Sequence, residues 1–237
     1  MYRFYEKNPL YFALCWIGIY VVSFSIADGL SASFGVEKSV TAVLSLLLSA
    51  FLFIWLKKQK LLTHFGLTGQ QAAKRSCLHY MPLLILVSTN LWGGVALNLS
   101  VPETLLYMLS MICVGFLEEL IFRGFLFCAL CKDDVKTAVV ISSLTFGFGH
   151  IVNLLHGAEL LPTLLQLCYA TAAGFLFTAI FHRWGSLWPC IATHSLLNAL
   201  SAIAGPRTVT QDIIAAVFLT VVALAYGIYV WYTPMQE

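Results

Sequence analysis

Charge is scarce in this sequence. Lys and Arg number 13 and Asp and Glu 11, so 10% of its 237 residues are charged while 60% are hydrophobic. A soluble domain carries roughly 25% charged residues. So little charge, with a mean hydropathy of +0.87, excludes a disordered chain, a coiled coil and a collagen-like repeat, and it argues against a single water-soluble core. An excess of basic charge is missing too. The net charge of +2 leaves no basic face to read phosphate, which excludes a nucleic-acid partner. No small-x-small cleavage site follows the first apolar run, MYRFYEKNPLYFALCWIGIYVVSF, so that run reads as a retained span and not a signal peptide. A disulfide framework is absent as well. The seven cysteines lie mostly inside apolar runs, and the C-x-x-C of Cys128 and Cys131 lacks the preceding strand of a thioredoxin-like site. With no internal repeat, low-complexity tract or composition break, residues 1–237 read as one membrane domain.

What is present is a series of apolar runs. A membrane helix needs about 20 apolar residues to cross about 30 Å of hydrocarbon. Cut at its polar islands, the chain gives an all-α, polytopic membrane helix bundle of about eight spans. They cover Leu10 to Ile26, Val40 to Leu56, Tyr80 to Leu97, Glu103 to Leu130, Lys136 to Leu155, Leu160 to Phe181, Ser186 to Ala204 and Ile213 to Tyr232. The longest polar stretch, KKQKLLTHFGLTGQQAAKRS, has breaks at Gly66 and Gly69 and a short helical pattern over Gln70 to Arg75, which is expected to lie along the interface. Cytoplasmic loops collect Lys and Arg. Ten of the 13 cations (Arg3, Lys7, Lys57, Lys58, Lys60, Lys74, Arg75, Lys132, Lys136 and Arg183) fall on one side of this arrangement, against Lys38 and Arg207 on the other. The N- and C-termini are therefore expected in the cytoplasm.

An ionisable side chain in mid-span costs about 2.5–3.5 kcal/mol on insertion scales, so each one needs a partner, a wet cavity or a function. Glu118, Glu119 and Arg123 stand in the fourth span, His150 in the fifth, and His194 with Asn198 in the seventh. Helical neighbours four apart share a face. Glu119 and Arg123 are thus expected to form a structural ion pair, while Glu118, about 100° round the helix, is left without a cation and is the carboxylate available as a general base. Gly147 and Gly149 thin the fifth helix for close packing or ligand access, and His194 and Asn198 project one way. His64, His79, His156 and His182 fall near span ends, where an interfacial role suffices; His156 is held in reserve. Capping or a helix-dipole role suffices for Asp28, Glu103, Glu159 and Asp212, and Asp133 with Asp134 reads as a solvated turn.

Three patterns stand in order on separate spans: Glu118-Glu119-x-x-x-Arg123, Phe146-x-x-x-His150 and His194-x-x-x-Asn198. Together they resemble the CPBP family of intramembrane proteases, the CAAX proteases and bacteriocin-processing (Abi-like) enzymes. The resemblance covers residues 114–200, the catalytic core it implies; the first three spans and the last carry no diagnostic residues. It implies an intramembrane endopeptidase, with a water activated by Glu118 and positioned by His150, and with His194 and Asn198 stabilising the oxyanion. It also implies a peptide or lipidated-protein substrate, with membrane lipid as the other partner. Family members either trim the last three residues from prenylated CAAX proteins or take part in bacterial peptide processing and immunity.

Metal dependence stays open at this point. Glu118, His150 and His194 are the residues that would hold zinc with an open position for water. No H-E-x-x-H is present, and Asn198 suits hydrogen bonding better than ligation, which favours metal-free hydrolysis. Two other functions compete: a non-catalytic immunity or interaction protein of the same fold, and a proton-coupled transporter. The transporter reading lacks an internal repeat and matched broken helices.

Overall fold

In hydrocarbon every backbone polar group must be bonded within its own segment, so long apolar runs fold as helices. The computed structural model describes residues 1–69, 77–155 and 157–233. A short helix α1 (Tyr2–Lys7) leads into α2 (Pro9–Ser33) and α3 (Ser39–Lys58). Then come α4 (Met81–Ser88), α5 (Val101–Leu130), α6 (Val135–Gly149), α7 (Leu160–Trp184), α8 (Trp188–Leu200) and α9 (Val209–Tyr232). Pro9, Pro82, Pro102 and Pro189 sit in the first turns of α2, α4, α5 and α8, where a missing N–H costs nothing.

Among the described residues the expected eight spans resolve into six helices long and apolar enough to cross a membrane and two shorter ones. The long ones are α2, α3, α5, α6 with the turn after it, α7 and α9. The third and seventh spans are the short ones. A three-residue 3-10 turn carries the helix from α4 only as far as Leu91, because Gly93 and Gly94 then break it. Gly94 has φ +83°, and a Cβ on Gly93 would lie 2.9 Å from the Gly205 carbonyl oxygen. Beyond them Val95 pairs antiparallel with Ala204, so the ends of both short spans spend their backbone bonds on each other. The fifth span is also divided: α6 stops at Gly149, His150 caps it, and a separate turn follows at Val152–Leu155. The expected interfacial helix over Gln70 to Arg75, and His156, lie outside the described residues.

Successive helices run between two ends of the bundle. At the end holding both termini, Leu187 N–H donates to the Gly66 carbonyl (3.1 Å), Trp188 Nε1 donates to the Leu67 carbonyl (2.9 Å), and the His182 ring stacks on Trp231. Phe65 and Leu67 are buried here, so this part of the long polar stretch is packed, not interfacial. At the opposite end Glu37 N–H donates to Glu103 (3.1 Å), Asn153 donates to Gln166 (2.9 Å), and Arg207 donates to the Thr89 carbonyl (3.2 Å). Glu103 also completes a capping box with Ser100, and Arg207 pairs with Asp212; back at the end holding the termini, Asp134 caps α6. Hydrogen bonds from the Thr137 side chain and backbone hold the Asp134 carboxyl below its ordinary range. The outward faces are apolar, with Val22, Leu47, Leu105 and Val217 among the exposed side chains, as lipid contact requires.

Two glycines set how closely the helices meet. A Cβ on Gly115 of α5 would stand 2.7 Å from the Ser195 backbone nitrogen of α8, and one on Gly147 of α6 would stand 3.0 Å from the Thr171 backbone nitrogen of α7. Gly149, by contrast, has nothing within 4 Å, so of the two glycines in the fifth span one serves packing and the other leaves room. Gly115→Ala should destabilise the fold by about 1–3 kcal/mol through overpacking, whereas Gly29→Ala, with open space around it, should leave stability unchanged or slightly raised. Thermal unfolding of the purified variants in detergent checks the pair.

Candidate active site

The site begins with a buried charge. Glu119 and Arg123 have no solvent-exposed surface, and Arg123 Nη1 donates to Glu119 Oε1 at 2.9 Å across one helical turn. The guanidinium also lies over the Phe146 ring at 4.1 Å and near Phe177 at 5.5 Å, where the ring quadrupoles favour a cation. From Leu120 to Phe127 the helix widens to a π-helix, directly after the two carboxylates; such widening is frequent at functional sites.

Glu119 does more than balance Arg123. Its Oε1 also meets His194 Nδ1 at 2.8 Å. A carboxylate accepts, so Nδ1 carries the proton and Nε2 is the remaining nitrogen, 3.5 Å from Glu118 Oε2. One carboxylate thus fixes both the arginine and the orientation of a histidine on another helix, the role a third group plays behind a catalytic histidine. The pairing expected from sequence is present, and its link to His194 is an addition.

Glu118 faces the other way. It has no intrahelical cation, but Tyr20 of α2 donates its hydroxyl to Glu118 Oε1 at 2.6 Å. Sequence reasoning missed Tyr20, because the first span holds no motif. The available signal was the spacing Tyr20-Phe24-Asp28, one face of α2 with polar residues two turns apart.

Glu118, His150 and Asn198 line one cavity of about 400 Å³, together with Tyr20, Asn153 and Gln166. His150 Nδ1 lies 3.1 Å from the Phe146 carbonyl; that carbonyl can only accept, which leaves Nε2 with the lone pair. Phe146 presents ring contacts to both His150 (5.4 Å) and His194 (5.6 Å), so the aromatic residue of the second motif touches both imidazoles and Arg123 at once. A smaller, mostly apolar pocket of about 60 Å³ is lined by His194 as well as by His150 and Asn198. The fourth, fifth and seventh spans therefore bring all four expected site residues around two adjoining spaces. Among the described residues no three His, Cys, Asp or Glu side chains, Glu118, His150 and His194 included, are gathered as a group that could hold a metal ion. Asp28 departs from the capping role expected for it: it lies within the last turns of α2, pairs with Lys38 at 2.8 Å, accepts from Thr41 Oγ1 at 2.5 Å and lines the larger cavity.

Removing one partner of a fully buried pair leaves an uncompensated charge. Arg123→Met should cost about 3–5 kcal/mol, and adding Glu119→Leu to it should recover part of that loss; thermal unfolding of the single and double variants in detergent gives the comparison.

A family model described as type II CAAX prenyl endopeptidase Rce1-like matches residues 100–200. No curated protein and no solved structure matches the chain. The matched segment holds Glu118, Glu119, Arg123, His150, His194 and Asn198, so the chain is similar to the Rce1-like CAAX endopeptidases over α5 to α8, in agreement with the CPBP resemblance of its three motifs.

Proposed function

We propose that this integral membrane protein is an intramembrane endopeptidase that hydrolyses a peptide bond with a glutamate-activated water. The observation that carries the reading is the gathering of Glu118, His150 and Asn198 around one cavity, with His194 held between the two glutamates. Glu118 takes a proton from water, and the hydroxide adds to the scissile carbonyl carbon. The same proton then passes to the departing amine nitrogen as the carbon–nitrogen bond breaks, leaving a new carboxylic acid on one product, whose proton is then lost to water. His150 Nε2 accepts from the attacking water and orients it. Asn198 Nδ2 donates to the oxyanion; His194 Nε2, when protonated, donates beside it, and Glu119 stabilises that imidazolium as a carboxylate does in a catalytic triad.

The substrate enters extended, because the carbonyls of a helix are already bonded. A peptide or lipidated protein tail meets that condition and suits a cavity surrounded by lipid-facing helices.

Glu118→Gln should lower cleavage of a peptide mixture that includes prenylated C-terminal peptides by about 10²–10⁴-fold, and Asn198→Ala by about 10²–10³-fold, both with wild-type thermal stability. Mass spectrometry of the products checks both. A chelator should leave wild-type cleavage intact; its loss on chelation and return with zinc would replace the metal-free mechanism. Full cleavage by Glu118→Gln would sink the assignment of the base. No cleavage by the folded wild type would favour a non-catalytic immunity or interaction protein.

A further inference from the structure

The larger cavity has a direction. On α5 its lining residues Tyr107, Met111, Val114 and Glu118 climb one face, and on α2 Tyr20, Phe24 and Asp28 do the same. Both series lead from the candidate base towards the end of the bundle opposite the termini. There the wall is completed by Lys38 and Thr41 at the start of α3, Asn153, and Ser201 just beyond α8. None of the residues named for this cavity belongs to the terminal end: the stretches 1–8, 57–69, 130–136 and 182–188 contribute nothing to it. His150 lies directly after the last turn of α6 and Asn198 in the last turn of α8, both at the same opposite end.

The two ends also differ in charge. The terminal end carries Arg3, Lys7, Lys57, Lys58, Lys60, Lys132, Lys136 and Arg183 among the described residues. At the mouth end the cations are Lys38 and Arg207, and each is matched by a carboxylate at 2.8 Å, Asp28 and Asp212. An excess of loop Lys and Arg marks the cytoplasmic side. We infer that the cavity opens to the extracytoplasmic face, so that the substrate is a polypeptide whose scissile segment is presented on that side, having been translocated or anchored there.

The directional part stands on cavity geometry and charge; the word substrate rests on the endopeptidase reading above, and the test separates the two. Ser201 is exposed and lines the mouth, whereas Asp133 is exposed in the turn at the terminal end. Ser201→Cys and Asp133→Cys are placed in the full chain and treated with a membrane-impermeant maleimide in right-side-out and in inside-out vesicles. Mass mapping of the modified peptide distinguishes them from native cysteines. Ser201→Cys should be labelled several-fold more in right-side-out vesicles, and Asp133→Cys several-fold more in inside-out ones. Should Ser201→Cys not accumulate, Leu97→Cys reports on the same end, since Leu97 is exposed in the loop before α5. The reverse pattern, or equal labelling of the mouth reporter from both sides, overturns the inference. A second arm adds a charged, impermeant peptide mixture outside sealed vesicles. Cleavage only in right-side-out vesicles supports the inference, and cleavage only in inside-out vesicles overturns it. If the wild type cleaves nothing even in detergent, the endopeptidase reading fails while the labelling still decides which face the cavity opens to.

Discussion

An arginine with no solvent contact, in a bundle whose outer surface is apolar, is the constraint on which the rest of this structure depends. Arg123 is tolerated because Glu119 neutralises it at 2.9 Å and Phe146 and Phe177 lie against it. Those partners come from α5, α6 and α7, so holding one guanidinium fixes the relative placement of three helices. His194 of α8 then joins through the same Glu119 oxygen. The small residues allow this convergence: a Cβ at Gly174 would stand 3.3 Å from Arg123 Nη2, and Gly115 lets α8 approach α5.

Once Glu119 is committed to Arg123 and His194, its neighbour Glu118 is the carboxylate left facing the cavity. A helix places adjacent residues about 100° apart, so two consecutive glutamates serve two different surroundings, one dry and paired, the other at the edge of a space able to admit water. The Tyr20 hydroxyl on Glu118 Oε1 ties α2 into the same cluster, leaving Oε2 turned to His194. Fold stability and the candidate chemistry therefore share atoms. That sharing explains why so few polar residues suffice in a chain with 10% charged residues.

Much of this was legible before any coordinates, and for identifiable reasons. Apolar runs had to be helices, and the spacing of Glu119 and Arg123 had to make a pair, because both follow from local geometry. The family-like motifs named Glu118, His150, His194 and Asn198, which the structure gathers around two adjoining spaces. Tyr20, the second role of Glu119 and the Asp28–Lys38 pair were not legible, since each depends on contacts between helices distant in sequence. Hydropathy also overstated two spans. The ends of the third and seventh are apolar enough for a membrane, yet their backbones meet each other at Val95 and Ala204, a tertiary choice that no single run displays.

The central claim is that Glu119 holds His194 through Nδ1 so that Nε2 faces Glu118. Nitrogen-15 NMR of histidine-labelled protein in detergent tests this most directly, with His194 assigned by its loss in His194→Gln among the six histidines. The account predicts that His194 is protonated at Nδ1 with a strongly deshielded proton, and that Glu119→Gln removes that deshielding. An unprotonated Nδ1 with the proton on Nε2 would contradict it.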